Sequence, residues 1–276
     1  MNLAQSARRI AHACMALAVF GCAPASPVPT VIPTAAPATT PAPGASATPA
    51  ATPTQTASLR STSAAGVPLL EDGPVAAGRY RLVVDNSCDD CESPQASWPA
   101  SPVGVDVSVP AGYLAETVFS SLFALDSRAP SGAGLTLGWT SFSVGLNSDP
   151  CLAVAHEVPD IPVGPTVDDF VDAVAANPNL DVTEPTDVEL GGFRGRFFTL
   201  TGPSDIGRCD NWRPWDPGFY VQGPNNIWDV WTIDVDGFRV MIVSWYFPDT
   251  PGDVKSELRD MAESISFVPL PESPTP

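Results

Sequence analysis

Cysteine and histidine are the residues here best suited to redox, covalent or metal chemistry, and the chain has six of the first and two of the second. Cys14 and Cys22 lie near the N-terminus, and Cys88, Cys91, Cys151 and Cys209 lie further on. Cys88-x-x-Cys91 has the spacing of a redox pair. Such pairs, however, lower the thiol pKa with positive surroundings, and here Asp89 and Asp90 stand between the sulfurs. Structural disulfides are the better reading. Four cysteines allow three connectivities, of which Cys88–Cys91 and Cys151–Cys209 are expected. The second closes the long loop, worth about 4 kcal/mol in the chain-entropy model. Zinc is not expected, because His156 is the only histidine beyond the N-terminal segment and the cysteines offer one close ligand pair. Asp85, Asp89, Asp90 and Glu92 crowd one short stretch with the ligand type of calcium, although solvated carboxylates are the commoner outcome.

Catalytic constellations are sparse. His156 has Glu157 and Asp160 nearby but no serine elbow, and Lys255 is the single lysine, which argues against Schiff-base and phosphate-cradling chemistry. No phosphate-binding glycine loop follows a strand, and no cofactor is expected. The alternative is a secreted hydrolase acting on cell-envelope glycan through a pair of carboxylates, although any chain with 31 acidic residues offers such pairs by chance. The most informative cluster is aromatic. Trp212, Arg213, Trp215 and Tyr220 sit in a turn-rich stretch after Cys209, and Trp228 follows the Gly223-Pro224-Asn225-Asn226 turn. Indoles beside Arg and Asp suit stacking on a sugar ring or a protein hot spot. The competing reading has the same indoles sealing a sheet edge or a satellite core.

Charge removes whole classes of partner. The net charge is −18, and from Gly66 onward 31 acidic side chains face 10 basic ones. Such a surface repels nucleic-acid phosphate and anionic lipid headgroups, so no nucleic-acid partner is expected. With 44% apolar and 16% charged residues the chain can still bury a core. Residues 1–21 read as a secretion signal, with Arg8 and Arg9 ahead of an apolar stretch from Ile10 to Gly21 that is too short to span a bilayer. That stretch ends in Val19-Phe20-Gly21-Cys22, which resembles the lipobox of bacterial lipoproteins, with Phe20 departing from the usual small residue. The resemblance implies cleavage before Cys22 and a diacylglycerol and palmitate anchor there. The alternative is ordinary cleavage within Ala23-Pro24-Ala25. Membrane contact is expected through this anchor alone, on the extracytoplasmic face. Residues 22–65, with nine prolines after Cys22 and Arg60 as the one charge, read as a disordered tether.

The elements beyond the tether point to one domain over residues 66–270, followed by a disordered tail at 271–276. Strand patterns run over Arg79–Asp85, Val103–Pro110, Leu135–Val144 and Phe193–Thr201. Asp236-Gly237 separates two β-branched and aromatic runs, Ile227–Val235 and Phe238–Phe247, the sequence mark of a two-residue hairpin. The second run is apolar on both faces and must be covered on both. Two helices are expected to supply cover. One begins at Thr166, with Asp169 completing a cap, and stops before Pro178. The other begins at Thr250-Pro251 with proline as its first helical residue. The fold class is α+β, a mostly antiparallel β-sheet with two or more packed helices. This order resembles the PsbP-like family of extracytoplasmic domains. The matching residues are Val107-Ser108-Val109-Pro110-Ala111-Gly112-Tyr113, the helix from Thr166, Leu190-Gly191-Gly192-Phe193-Arg194-Gly195 and Glu263-Ser264-Ile265-Ser266-Phe267. The resemblance implies a sandwich of sheet and helices and a docking or accessory role, with no shared catalytic set. The Cys88–Cys91 insertion and the tryptophan-rich stretch depart from it.

Overall fold

The computed structural model describes residues 66–83, 103–117, 120–139, 145–155, 159–209, 211–216 and 220–269. The chain divides into two units, Met1–Pro53 and Thr54–Pro276, and every described residue belongs to the second. The signal, Cys22, the Cys88–Cys91 pair, the acidic stretch around it and His156 lie outside the described residues.

Fifteen strands are described: β1 (Gly73–Val75), β2 (Gly78–Val83), β3 (Val103–Val109), β4 (Tyr113–Glu116), β5 (Ser121–Ala124), β6 (Gly134–Trp139), β7 (Gly145–Leu146), β8 (Ile161–Pro162), β9 (Asp181–Val182), β10 (Thr186–Leu190), β11 (Phe193–Thr201), β12 (Trp215–Asp216), β13 (Ile227–Val235), β14 (Phe238–Tyr246) and β15 (Ser266–Pro269). Two α-helices accompany them, α1 (Val167–Ala176) and α2 (Gly252–Glu263). A nine-stranded sheet runs β1-β4-β5-β6-β14-β13-β11-β10, with β9 also on β11, and two three-stranded sheets run β12-β7-β8 and β15-β3-β2. Every strand pair in them is antiparallel. The class is α+β, mostly antiparallel sheet with two helices.

The β13–β14 hairpin forms as its turn residues require. Asp236 and Gly237 take φ of 54° and 84°, both left-handed, so the reversal matches the twist of the flanking strands. Val240 to Trp245 of β14 are all buried. Val240 and Ile242 join one core with Val254, Leu258 and Met261 of α2. Met241, Val243 and Trp245 join a second core with Phe170, Val171 and Val174 of α1. A strand greasy on both faces thus lies between two cores, each closed in part by a helix. Each fully buried aliphatic or aromatic side chain contributes about 1.5–3 kcal/mol relative to an exposed one.

The helix starts differ. At α1 the Thr166 side chain accepts from Asp169 N at 3.1 Å while Asp169 Oδ2 accepts from Thr166 N at 3.0 Å, closing the reciprocal cap that the sequence announces. Those bonds lower the Asp169 pKa. Arg239 of β14 is buried, and its Nη1 donates to the carbonyls of Gly164 and Thr166 at 2.8 and 2.7 Å, fixing the approach to α1. Burial lowers its pKa to about 10. At α2 the expectation needs correction. The helix starts at Gly252, and Pro251 is the cap rather than the first helical residue, with no side-chain cap bond. Thr250 turns the other way, its hydroxyl accepting from Phe247 N at 3.0 Å, so it closes the turn leaving β14 instead of opening the helix.

Candidate binding site

The aromatic cluster lies in a short-element region held by a covalent bond. Cys151 and Cys209 form a disulfide, joining the 3₁₀ turn Pro150–Ala155 to the stretch that carries the tryptophans. Trp215 of β12 pairs with Leu146 of β7. Around that pair, Asn147 N donates to Pro214 O at 3.0 Å, Asn147 Nδ2 to Arg213 O at 2.9 Å, Arg213 N to Pro150 O at 3.0 Å and Val221 N to Trp212 O at 3.0 Å. Side-chain amides here do the work of a longer ladder, as Asn177 Nδ2 does on Asn147 O.

The indoles point inward. Trp212, Trp215 and Trp228 are 5%, 1% and 0% exposed and belong to the second core. Trp215 sits edge-to-face with Phe170 of α1 at 5.3 Å and with Trp228 at 5.6 Å. Trp228 Nε1 donates to Asn226 Oδ1 at 2.7 Å, so the asparagine turn before it supplies the acceptor a buried indole needs. No face of these three rings is open to a sugar. The structure therefore corrects the stacking expectation for Trp212, Trp215 and Trp228, because this region has too few long elements to seal the sheet without them. Arg213 is partly buried, and Tyr220, 42% exposed, remains at the surface. Ser148 donates to the Asp160 carboxylate through both its hydroxyl and its backbone N–H.

A second arrangement lies on the other core, between α2 and the end of β3. There the chain turns through Pro110-Ala111-Gly112 into β4. Gly112 takes φ of +92°, and a Cβ on it would stand 2.7 Å from Arg128 Cδ, so glycine is needed for both backbone and space. The turn delivers Tyr113 fully buried, with its hydroxyl donating to Glu257 Oε2 of α2 at 3.2 Å. Arg128 grips the same carboxylate with both arms, Nη1 to Oε2 and Nη2 to Oε1, each at 2.8 Å. Its guanidinium also lies 5.6 Å from the Tyr113 ring centroid. Burial, reinforced by the Glu257 charge, pushes the Tyr113 phenol pKa up, and the bonds to Glu257 raise that of Arg128. Beside this lock opens a groove of about 410 Å³, lined by Ser108, Val109, Pro110, Glu257, Asp260 and Met261 together with Gly78.

Both Glu257 oxygens are engaged as acceptors, so its orientation is fixed, and acting as acid, base or nucleophile would mean surrendering those bonds. Among the described residues no group of three or more His, Cys, Asp or Glu is placed to hold a metal. No described helix is long and apolar enough to cross a membrane. The Val-Pro-x-Gly-aromatic pattern marked the turn and Tyr113, and amphipathic spacing marked α2. Nothing local marked Arg128, whose partner is 129 positions away. No protein-family model matches the sequence, and no curated protein is similar to it.

Proposed function

We propose that this chain is a lipid-anchored, non-enzymatic binding or accessory domain on the extracytoplasmic face of a bacterial membrane, with a protein or glycan as its ligand. The observation that carries this reading is the N-terminal order of Arg8-Arg9, a short apolar stretch and Val19-Phe20-Gly21-Cys22. Two or more acyl chains, at about 0.8 kcal/mol per buried methylene, hold a protein far more firmly than a single myristoyl group does. The Cys151–Cys209 disulfide fits an oxidising compartment, where such bonds persist. The likeness to PsbP-like domains supports an accessory role, and the proline-rich residues between anchor and domain suit a spacer.

Mass spectrometry of the membrane fraction tests the anchor. The expected N-terminal peptide begins at Cys22 with diacylglycerol on its thiol, and Cys22→Ser abolishes the modification. A free N-terminus near Ser26 refutes the anchor. Incubation with cell-wall fragments tests the rest of the reading, since release of soluble sugar would replace it with a carboxylate-dependent hydrolase.

A further inference from the structure

We infer that the groove between α2 and the end of β3 receives the side chain of an arginine or lysine on an extracytoplasmic protein partner. This rests on the binding-domain reading and chooses protein over glycan within it. Apart from Glu263, which lies 3.8 Å from Arg259, the charges on α2 are segregated about its buried stripe of Val254, Leu258, Met261 and Ala262. Lys255 and Arg259 lie on one flank, Lys255 Nζ 5.4 Å from the Tyr246 ring centroid and the Arg259 guanidinium 5.6 Å from that of Phe197. Asp253, Glu257 and Asp260, spaced i, i+4, i+7, form a line on the other flank. Among the described residues one arginine serves that line. Arg128 grips Glu257 and reaches Asp253 at 3.8 Å, while exposed Asp260 has no ion pair among those residues.

The lining decides what such a site takes. Val109, Pro110 and Met261 offer apolar contact for a methylene stem, and Asp260 offers a counter-charge for its head. Among the described residues no aromatic ring lines the groove, so they give it no stacking platform of the kind that sugar recognition favours. Its carboxylates come from one helix face, and no metal-holding cluster forms with them among the described residues. The domain's excess of acidic residues draws basic partners and repels anionic surfaces.

The test uses the membrane-extracted protein in non-ionic detergent, labelled at the methyls of Met241 and Met261, with the tripeptide acetyl-Gly-Arg-Gly-amide as probe. The Met261 methyl resonance should shift saturably while that of Met241, in the other core, stays still. The citrulline tripeptide, which keeps the shape and loses the charge, should have no effect. Asp260→Asn should weaken binding at least fivefold and Asp260→Arg abolish it, whereas Asp187→Asn and Asp187→Arg on β10 should change it less than twofold. Equal losses at Asp187 and Asp260, or shifts at both methyls or neither, would overturn the groove as the site. The intact mass of the same sample reports the anchor separately, so one reading can fail while the other stands.

Discussion

The two faces of the β13–β14 hairpin are closed by different means. On the α2 side, a twelve-residue helix and the β15-β3-β2 sheet surround a mostly aliphatic core that also holds Phe193, Trp231 and Phe267, with Tyr113, Arg128 and Glu257 tying the helix to the strands. On the α1 side, a ten-residue helix, two-residue strands and a loop surround a core containing Trp212, Trp215, Trp228 and Trp245. Regular elements carry their own backbone bonds and need side chains mainly for packing. Short elements leave more of the closure to large rings, side-chain amides and a disulfide. The aromatic richness that resembles a ligand platform is, on this comparison, the consequence of thin secondary structure.

Removing a buried ring from the α1 side should cost the most. Trp215→Ala should destabilise the domain by about 3–5 kcal/mol, the range for deleting a buried aromatic side chain. Denaturant unfolding measures it, and a loss below about 1 kcal/mol would mean the ring is not core. Next is the covalent clasp. Replacing Cys151 and Cys209 together with serine should cost about 2–4 kcal/mol. Hydrogen exchange should then rise in the 145–162 and 205–221 stretches while β13 and β14 stay protected; uniform loss of protection would make the two halves one cooperative unit. Glu257→Gln keeps the shape but removes the charge that Arg128 grips, for an expected cost of about 1–3 kcal/mol, with the tryptophan near-ultraviolet signal unchanged. A change in that signal would couple the two cores.

The gentlest perturbation is alkaline pH. Tyr246, half-buried on β14, donates to Asp229 at 3.2 Å, and burial with that carboxylate pushes its pKa up to about 12. The unfolded chain releases this proton near pH 10 and the folded one holds it longer, so this group's contribution falls as pH rises between about 10 and 12. Tyr246→Phe should flatten that part of the stability profile, read by urea midpoints across the window. An unchanged profile would locate the alkaline sensitivity elsewhere, with Tyr113 the next phenol to replace.

Features that depend on near neighbours along the chain are legible in the sequence itself. The Asp236-Gly237 turn, the Thr166–Asp169 cap and the two-faced apolar pattern of β14 answer to spacing and short-range chemistry, the Cys151–Cys209 pairing answers to the count of cysteines, and each is present in the fold. Thr250 defeats that kind of reading because a threonine before Pro-Gly-Asp has two backbone partners within reach, and only the path of the chain out of β14 selects the nearer turn. The tryptophans are ambiguous in sequence for a related reason. An indole in a turn-rich stretch faces solvent or protein according to what stands opposite, and Phe170, which meets Trp215 edge-to-face, belongs to a distant stretch of chain.

Composition and periodicity therefore determined an acidic, antiparallel α+β body and where the β13–β14 turn, the α1 cap and the Cys151–Cys209 disulfide fall, since those depend on local backbone energetics and on counts of charge and cysteine. Only the tertiary structure decided that the rings are core, that Arg128 and Tyr113 converge on Glu257, and that a groove opens beside them. Those outcomes depend on which surfaces meet across stretches of chain that reach 144 residues between Tyr113 and Glu257, a matter of packing and desolvation that no window of sequence contains.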